Sequence, residues 1–133
     1  MQAGKLFNRQ YIRSMDQTEL LVKSIIEGLQ EKKGKNIVTV DLNQTTGAIC
    51  QYMVICEGNT PTQVAALSDS VWDFAHKKAK EKPLSIDGQH GARWIGMDYG
   101  TVLVHIFMPE LRSFYNLEHL WADAPVSVIP NID

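Results

Sequence analysis

The residues able to carry chemistry are few and far apart. The four histidines, His76, His90, His105 and His119, form no HxH or HExxH pair, and each falls in a different stretch of chain. A zinc or iron site usually takes part of its ligand set from short, fixed spacings, so no metal is expected. Cys50 and Cys56 lie in or beside one apolar run at an even separation, which on a strand puts both thiols on one face. About 20 Å of extended chain lies between them, too far for a disulfide. They read as buried free thiols of a reducing compartment. Asp69 and Asp73 sit one helical turn apart, but no DxD or DxxE cluster accompanies them or the other pair considered, Asp87 and Asp98. Asp73 and Lys77 have the i, i+4 spacing of a simple surface ion pair. Gly58-Asn59-Thr60 falls where a strand meets a helix, a place where backbone N–H groups can hold phosphate. GxxxxGK[ST] and GxGxxG are both absent, so the simpler reading has Gly58 turning the chain and Thr60 capping the helix. GxSxG is absent too, and neither cysteine adjoins a histidine. No enzyme chemistry and no cofactor are signalled.

The elements that must position these residues belong to one domain. A chain of 133 residues can bury a core without staples. Its 44% hydrophobic and 21% charged content is that of a globular protein. A net charge of -2 and a pI near 6.1 leave no global attraction to nucleic acid. Sequence-specific nucleic-acid binding is not expected, while a local basic patch, or a protein partner inside a nucleoprotein machine, stays open. No run of ~18 apolar residues marks a membrane span, and residues 1–15 lack the apolar segment of a secretory signal. The expected location is the cytoplasm.

Leu21, Ile25 and Leu29 form a helical stripe within residues 16–33, with Asp16 and Glu19 as a capping box and Gly34 as a left-handed stop. IVTVDL (37–42) and CQYMVICE (50–57) read as strands, the second apolar enough to be covered on both faces. Thr60, Pro61 and Gln63 open a second helix, whose buried stripe is Val64, Leu67, Val71, Phe74 and Ala75. KKAKEK (77–82) is its solvated basic end, and Pro83 stops it. PLSIDGQHGA reads as a loop. ARWIGM and TVLVHIF read as strands joined by Asp98-Tyr99-Gly100-Thr101, with Gly100 at positive φ. PELRSFY and LEHLW follow as short helical turns, and the tail from Ala124 reads as extended or disordered. The order α-β-β-α-β-β-α predicts a single α/β domain, a mixed sheet with flanking helices. Its bounds are 16–125, with a flexible extension over 1–15 and a tail over 126–133.

One block is unusually aromatic: Trp94, Tyr99, Phe107, Phe114, Tyr115 and Trp121. Alternation puts Trp94, Gly96 and Asp98 on one face of their strand and Ile95 and Met97 on the other. A face bearing a tryptophan, a glycine and an acid is a poor interior. It is either a docking surface or the seat of the C-terminal helix. On the next strand Leu103, His105 and Phe107 share one face, and Val102, Val104 and Ile106 the other.

Three blocks then carry a family resemblance: YMVICEGNTPTQVAALSD at 52–69, RWIGMDYGTVLVHIF at 93–107 and PELRSFYNLEHLWADAP at 109–125. Together they resemble the ribosomal silencing factor family, also called Iojap-like, over residues 17–125. The resemblance implies a nucleotidyltransferase-like topology without transferase activity. It implies binding to the large ribosomal subunit through the fourteenth protein of its uniform naming scheme. Joining of the small subunit would be blocked sterically, repressing translation under nutrient limitation. Homodimers are implied as well, and so is a role in large-subunit assembly among organelle relatives. By position, Trp94, Asp98, Tyr99, Gly100, His105 and Phe107 match the motif expected to meet the ribosomal protein. Arg112, Tyr115, Leu117, Leu120 and Trp121 match a C-terminal motif expected to support that surface or rim it. Gly96 departs from the larger apolar residue usual in the family.

Overall fold

The computed structural model describes the backbone of residues 2–115 and 124–132 and the side chains of residues 17–112 and 124–132. Along the chain run α1 (Gln2–Glu31), β1 (Lys35–Asp41), β2 (Tyr52–Glu57), α2 (Pro61–Ala79), β3 (Ser85–Asp87), β4 (Trp94–Asp98), β5 (Val102–Phe107), α3 (Pro109–Tyr115) and β6 (Val126–Ile129). One six-stranded sheet has the order β3-β4-β5-β2-β1-β6. Only β2 and β5 pair in parallel; the other neighbours are antiparallel. The mixed α/β architecture matches the expectation, with two more strands than the sequence announced.

Both extra strands are edges. β3 has three residues and pairs with β4 where a loop was expected. β6 lies in the expected tail and pairs with β1, Val128 opposite Val38 and Val126 opposite Val40. Neither carries a periodic apolar signal, because an edge strand covers little of the core.

The helices pack on one face of the sheet, antiparallel to each other. Gly28 lets them approach closely: a Cβ there would lie 2.8 Å from the Ser70 carbonyl oxygen. The Ser70 hydroxyl donates to the Gly28 carbonyl at 2.7 Å, which satisfies both groups in the buried seam. Leu21, Ile25 and Leu29 of α1 and Val64, Leu67, Val71 and Ala75 of α2 meet Val54, Cys56, Ile95, Met97, Val102, Val104 and Ile106 of the sheet. The helical stripes and the strand alternation read from the sequence fill this core with two exceptions: Phe74 is only half-buried, with Lys78 over its ring, and Cys50 precedes β2 and so packs on the opposite face from Cys56.

Helix ends differ in detail. α1 continues upstream to Gln2, so Asp16 lies inside the helix rather than at its cap. At its other end Lys33, not Gly34, takes the left-handed conformation, φ 57°. Gly34 is required for space instead: a Cβ there would meet Cys56 Sγ at 2.5 Å. α2 starts as expected. Thr60 Oγ1 accepts from the Gln63 backbone N–H at 3.0 Å, and Gln63 Oε1 accepts from the Asn59 N–H at 2.7 Å. α2 ends at Ala79, before Pro83, because Lys80 turns left-handed and its N–H caps the last carbonyls.

Candidate functional site

The opposite face of the sheet carries a second, smaller apolar cluster: Val38, Val40, Leu42, Met53, Ile55 and Phe107, with Trp94, Leu103 and Leu111 packed against it. Among the described residues, neither long helix contributes to it. The hairpin β4–β5 supplies its outer part. Register sets Trp94 opposite Phe107, Gly96 opposite His105 and Asp98 opposite Leu103. All six side-chain positions therefore face one way, as the alternation required. β2 continues this face, with Ile55 beside His105.

Trp94 is half-buried and ties the face together. Its ring lies 5.5 Å from Phe107 and 5.8 Å from His105, centroid to centroid, both tilted. Its indole Nε1–H donates to His105 Nδ1 at 3.1 Å. That bond defines the imidazole: Nδ1 is the acceptor, so the neutral ring carries its proton on Nε2. Burial pushes the His105 pKa below its usual value, which favours the same neutral form. Gly96 leaves a notch over this pair, since even a Cβ there would stand 3.8 Å from Nδ1.

The turn beyond is built by Asp98 and Gly100. Asp98 Oδ1 accepts the Gly100 N–H at 2.7 Å, and Gly100 has φ +83°. Asp98 thus shapes the hairpin tip and remains half-exposed there, while Gly100 is exposed.

Tyr99 and Phe107 sit differently from an exposed contact residue. Tyr99 is 5% exposed and packs in the helix-side core, on the other side of the sheet from Trp94. Its hydroxyl is buried without a hydrogen-bond partner, and burial raises its pKa. Phe107 is fully buried under Trp94. Alternation along β4 and β5 does not say that Tyr99, in the turn between them, is buried.

Arg112 is 8% exposed. One guanidinium nitrogen, Nη1, donates to the Asn36 carbonyl oxygen and to Glu57 Oε2, the latter at 3.0 Å. It fastens α3 across β1 and β2, a role hidden from sequence because its acceptors lie far back in the chain. Leu111 of α3 reaches the second cluster, so the start of the C-terminal helix seats on this face. Leu117, Leu120 and Trp121 lie outside the described residues, as does the side chain of Tyr115. Leu103 joins the face as alternation required, and Met53 and Ile55 join it as neighbours that only register could assign.

Elsewhere the chemistry is sparse. No group of three His, Cys, Asp or Glu side chains could hold a metal among the described residues. At the start of α2 the Gln63 N–H is taken by Thr60 and the Asn59 N–H by Gln63, and Gly58 is tight against Val64. Cys56 is fully buried, and desolvation pushes its thiol up to about 12. No helix among the described residues is long and apolar enough to cross a membrane. The arrangement offers an aromatic, notched, partly open face rather than a reaction centre.

Residues 15–133 match the family described as "Ribosomal silencing factor during starvation". The chain belongs to the ribosomal silencing factor family. A Zymomonas mobilis ribosomal silencing factor is 36% identical over 114 residues, 82% of this chain and 84% of that protein. A crystal structure of a Chromobacterium violaceum protein superposes with a TM-score of 0.72 at 32% identity, covering 83% of this chain and 90% of that one. A mouse protein named "Mitochondrial assembly of ribosomal large subunit protein 1" is 32% identical over 72 residues, 53% of this chain and 32% of its own length. The ribosomal silencing factor family is named for an effect on the ribosome and not for a reaction, in keeping with a site that offers shape and few reactive groups.

Proposed function

We propose that this protein binds the large ribosomal subunit through the subunit's fourteenth protein and sterically blocks joining of the small subunit, repressing translation when nutrients are limited. The observation that carries the reading is the half-open face of β4–β5, where Trp94 and His105 flank a glycine notch on the side of the sheet away from α1 and α2. Trp94, Asp98, Gly100 and His105 make the contacts. Tyr99 and Phe107 hold the hairpin's shape from inside. Arg112 anchors α3, and Tyr115, Leu117, Leu120 and Trp121 support or rim the surface. A few such residues, each worth about 2 kcal/mol or more, are enough for a specific interface. The chain's slight acidity suits a basic ribosomal protein.

The action is steric, with no catalysis and no cofactor, and takes place in the cytoplasm. The same proposal takes residues 16–125 as the ribosome-binding domain, preceded by an extension over 1–15. The tail over 126–133 completes the sheet through β6, and a second copy of the chain is an additional partner. The test is sedimentation of purified protein with large subunits, followed by the fraction of joined ribosomes. Co-pelleting and a lower joined fraction are expected. Trp94→Ala is expected to abolish pelleting while the fold persists by circular dichroism. If the wild-type protein stays in the supernatant, the reading fails.

The printed name of the mouse relative favours a second reading, large-subunit assembly. Cells lacking the protein would then accumulate immature large subunits in rich medium. Under silencing, their large subunits are complete and only joining in starved cells changes.

A further inference from the structure

Gly96 is a glycine that the fold does not require. It lies in the middle of β4, and its φ is not positive. A Cβ on Gly28 would stand 2.8 Å from a carbonyl oxygen, and one on Gly34 2.5 Å from a thiol. A Cβ on Gly96 would meet, among the described residues, only the His105 ring, with Nδ1 at 3.8 Å and Cε1 at 3.9 Å, which is ordinary contact. A glycine inside a strand forfeits packing and costs conformational entropy. Nothing among the described residues offsets that cost here. A strand glycine of this kind often marks a place where a group from outside comes close. Gly96 is itself half-exposed, as are Trp94, Asp98 and His105 around it.

The walls of this notch are aromatic and acidic. Along β4, Trp94 stands on one side and Asp98 on the other, each two residues and about 6.6 Å away. His105 lies across on β5. On β3, Asp87 pairs directly with Gly96, so its side chain rises on the same face. Asp98 accepts the Gly100 N–H on Oδ1 and makes no ion pair among the described residues. Asp87 is exposed and has no ion pair there either. Strands β3, β4 and β5 contain these two acids and no Lys or Arg. Arg93, just before β4, is drawn to Glu110 at 3.4 Å. His105 brings no opposing charge, because burial favours its neutral form and its Nδ1 is taken by the indole N–H.

We propose that the Gly96 notch receives an arginine side chain of the partner protein, its guanidinium laid between the Trp94 indole and the carboxylates of Asp98 and Asp87. An arginine fits each wall. Its planar cation stacks on an indole face. Its fork of N–H groups matches carboxylates on two sides. Its stem needs the room that a side chain at position 96 would take. Phosphate is repelled by the same two acids, so the occupant of this notch is protein and not RNA. Gly96 is then a specificity-determining residue and Asp87 a further contact. The notch deepens the ribosome-binding proposal; the identity of the partner rests on that reading, while the preference for arginine does not.

The experiment uses the full chain in two assays. In the first, large-subunit pelleting is compared between the wild type, Gly96→Val and Asp87→Asn. Gly96→Val is expected to raise the melting midpoint by about 3 °C, since it replaces a strand glycine, and to weaken pelleting about tenfold or more. Gly96→Ala should shift both in the same directions by less. Asp87→Asn should weaken pelleting about threefold, with a smaller effect at high salt. In the second assay, the Trp94 indole N–H resonance is followed while N-acetyl-arginine amide or its neutral isostere, N-acetyl-citrulline amide, is added at millimolar concentration. Arginine should move the resonance in the wild type and not in Gly96→Val, and citrulline should move it in neither. Equal responses to the two amides overturn the proposal. So does a lowered midpoint in both Gly96 variants, which would show that the glycine serves the fold. If the wild type pellets and the Gly96 and Asp87 variants pellet equally well, the notch proposal fails and the ribosome reading stands. If the wild type responds to arginine alone but does not pellet, the ribosome reading fails and the notch stands.

Discussion

The two faces of the sheet use the same strands to different ends. Toward α1 and α2, Val54, Cys56, Ile95, Val102, Val104 and Ile106 are all fully buried. On the other side, Val38, Val40, Ile55 and Phe107 are closed in, but Trp94, Gly96, Leu103 and His105 stay half-open. Alternation delivers one side chain to each face in turn, so any strand that closes the helical core also loads the second face. The first face is finished by helices. The second is left with an indole, an imidazole and a notch, which is what a protein partner can complete. Stability should therefore reside mainly on the first face and binding on the second.

The sharpest way to break this comparison is to hollow out the helical core. Ile25→Ala removes a fully buried side chain and should cost about 2–5 kcal/mol of stability by urea denaturation. A cost as small as that of an exposed substitution would mean the helices do not carry the fold. Arg112→Ala comes next. It leaves Glu57, whose side chain is 13% exposed, without its cation, and a loss of about 2–3 kcal/mol is expected, below the full cost of breaking a deeply buried pair. It also frees α3 from β1 and β2, so large-subunit pelleting should weaken with stability. If pelleting is unaffected, α3 is no part of the binding surface. Trp94→Ala, described above, is expected to separate the faces by removing binding with the fold retained.

The smallest expected effect concerns pH. The folded pKa of His105 lies below its ordinary value near 6.5, so the unfolded chain takes up a proton first. Its contribution is whole above about pH 6.5 and is lost as pH falls from there through the folded pKa. Protonation would also turn Nδ1 from acceptor to donor and break the bond from Trp94. The thermal midpoint should fall between about pH 7.5 and about pH 5.5 more in the wild type than in His105→Gln (values about one unit either side of the ordinary pKa). Parallel curves would show that His105 is not desolvated in the folded protein.

Much of the fold was legible in the sequence because it rests on short-range rules. The Leu21–Ile25–Leu29 and Val64–Leu67–Val71 stripes, the Thr60–Pro61–Gln63 cap and the Gly100 turn are each set by local geometry. So is the division of TVLVHIF into a core triple and a second-face triple. The helix stop at Lys80 was less legible, since four lysines and a glutamate offer no breaker before Pro83. Edge strands β3 and β6 were missed because pairing on one side demands no apolar period. For the site, sequence found the hairpin and the face to which Trp94, Asp98 and His105 belong.

Local sequence by itself determined the periodicities, the turns and the balance of charge. Only tertiary structure decided that Tyr99 is core, that Gly34 is small to make room for Cys56, and that Trp94 bonds to His105. It alone set Arg112 on Asn36 and Glu57. The physical reason is range. Backbone sterics and hydrogen bonds within a few residues fix a helix or a turn, whereas a side chain's burial and partners depend on elements tens of residues away, which meet only after the sheet has assembled.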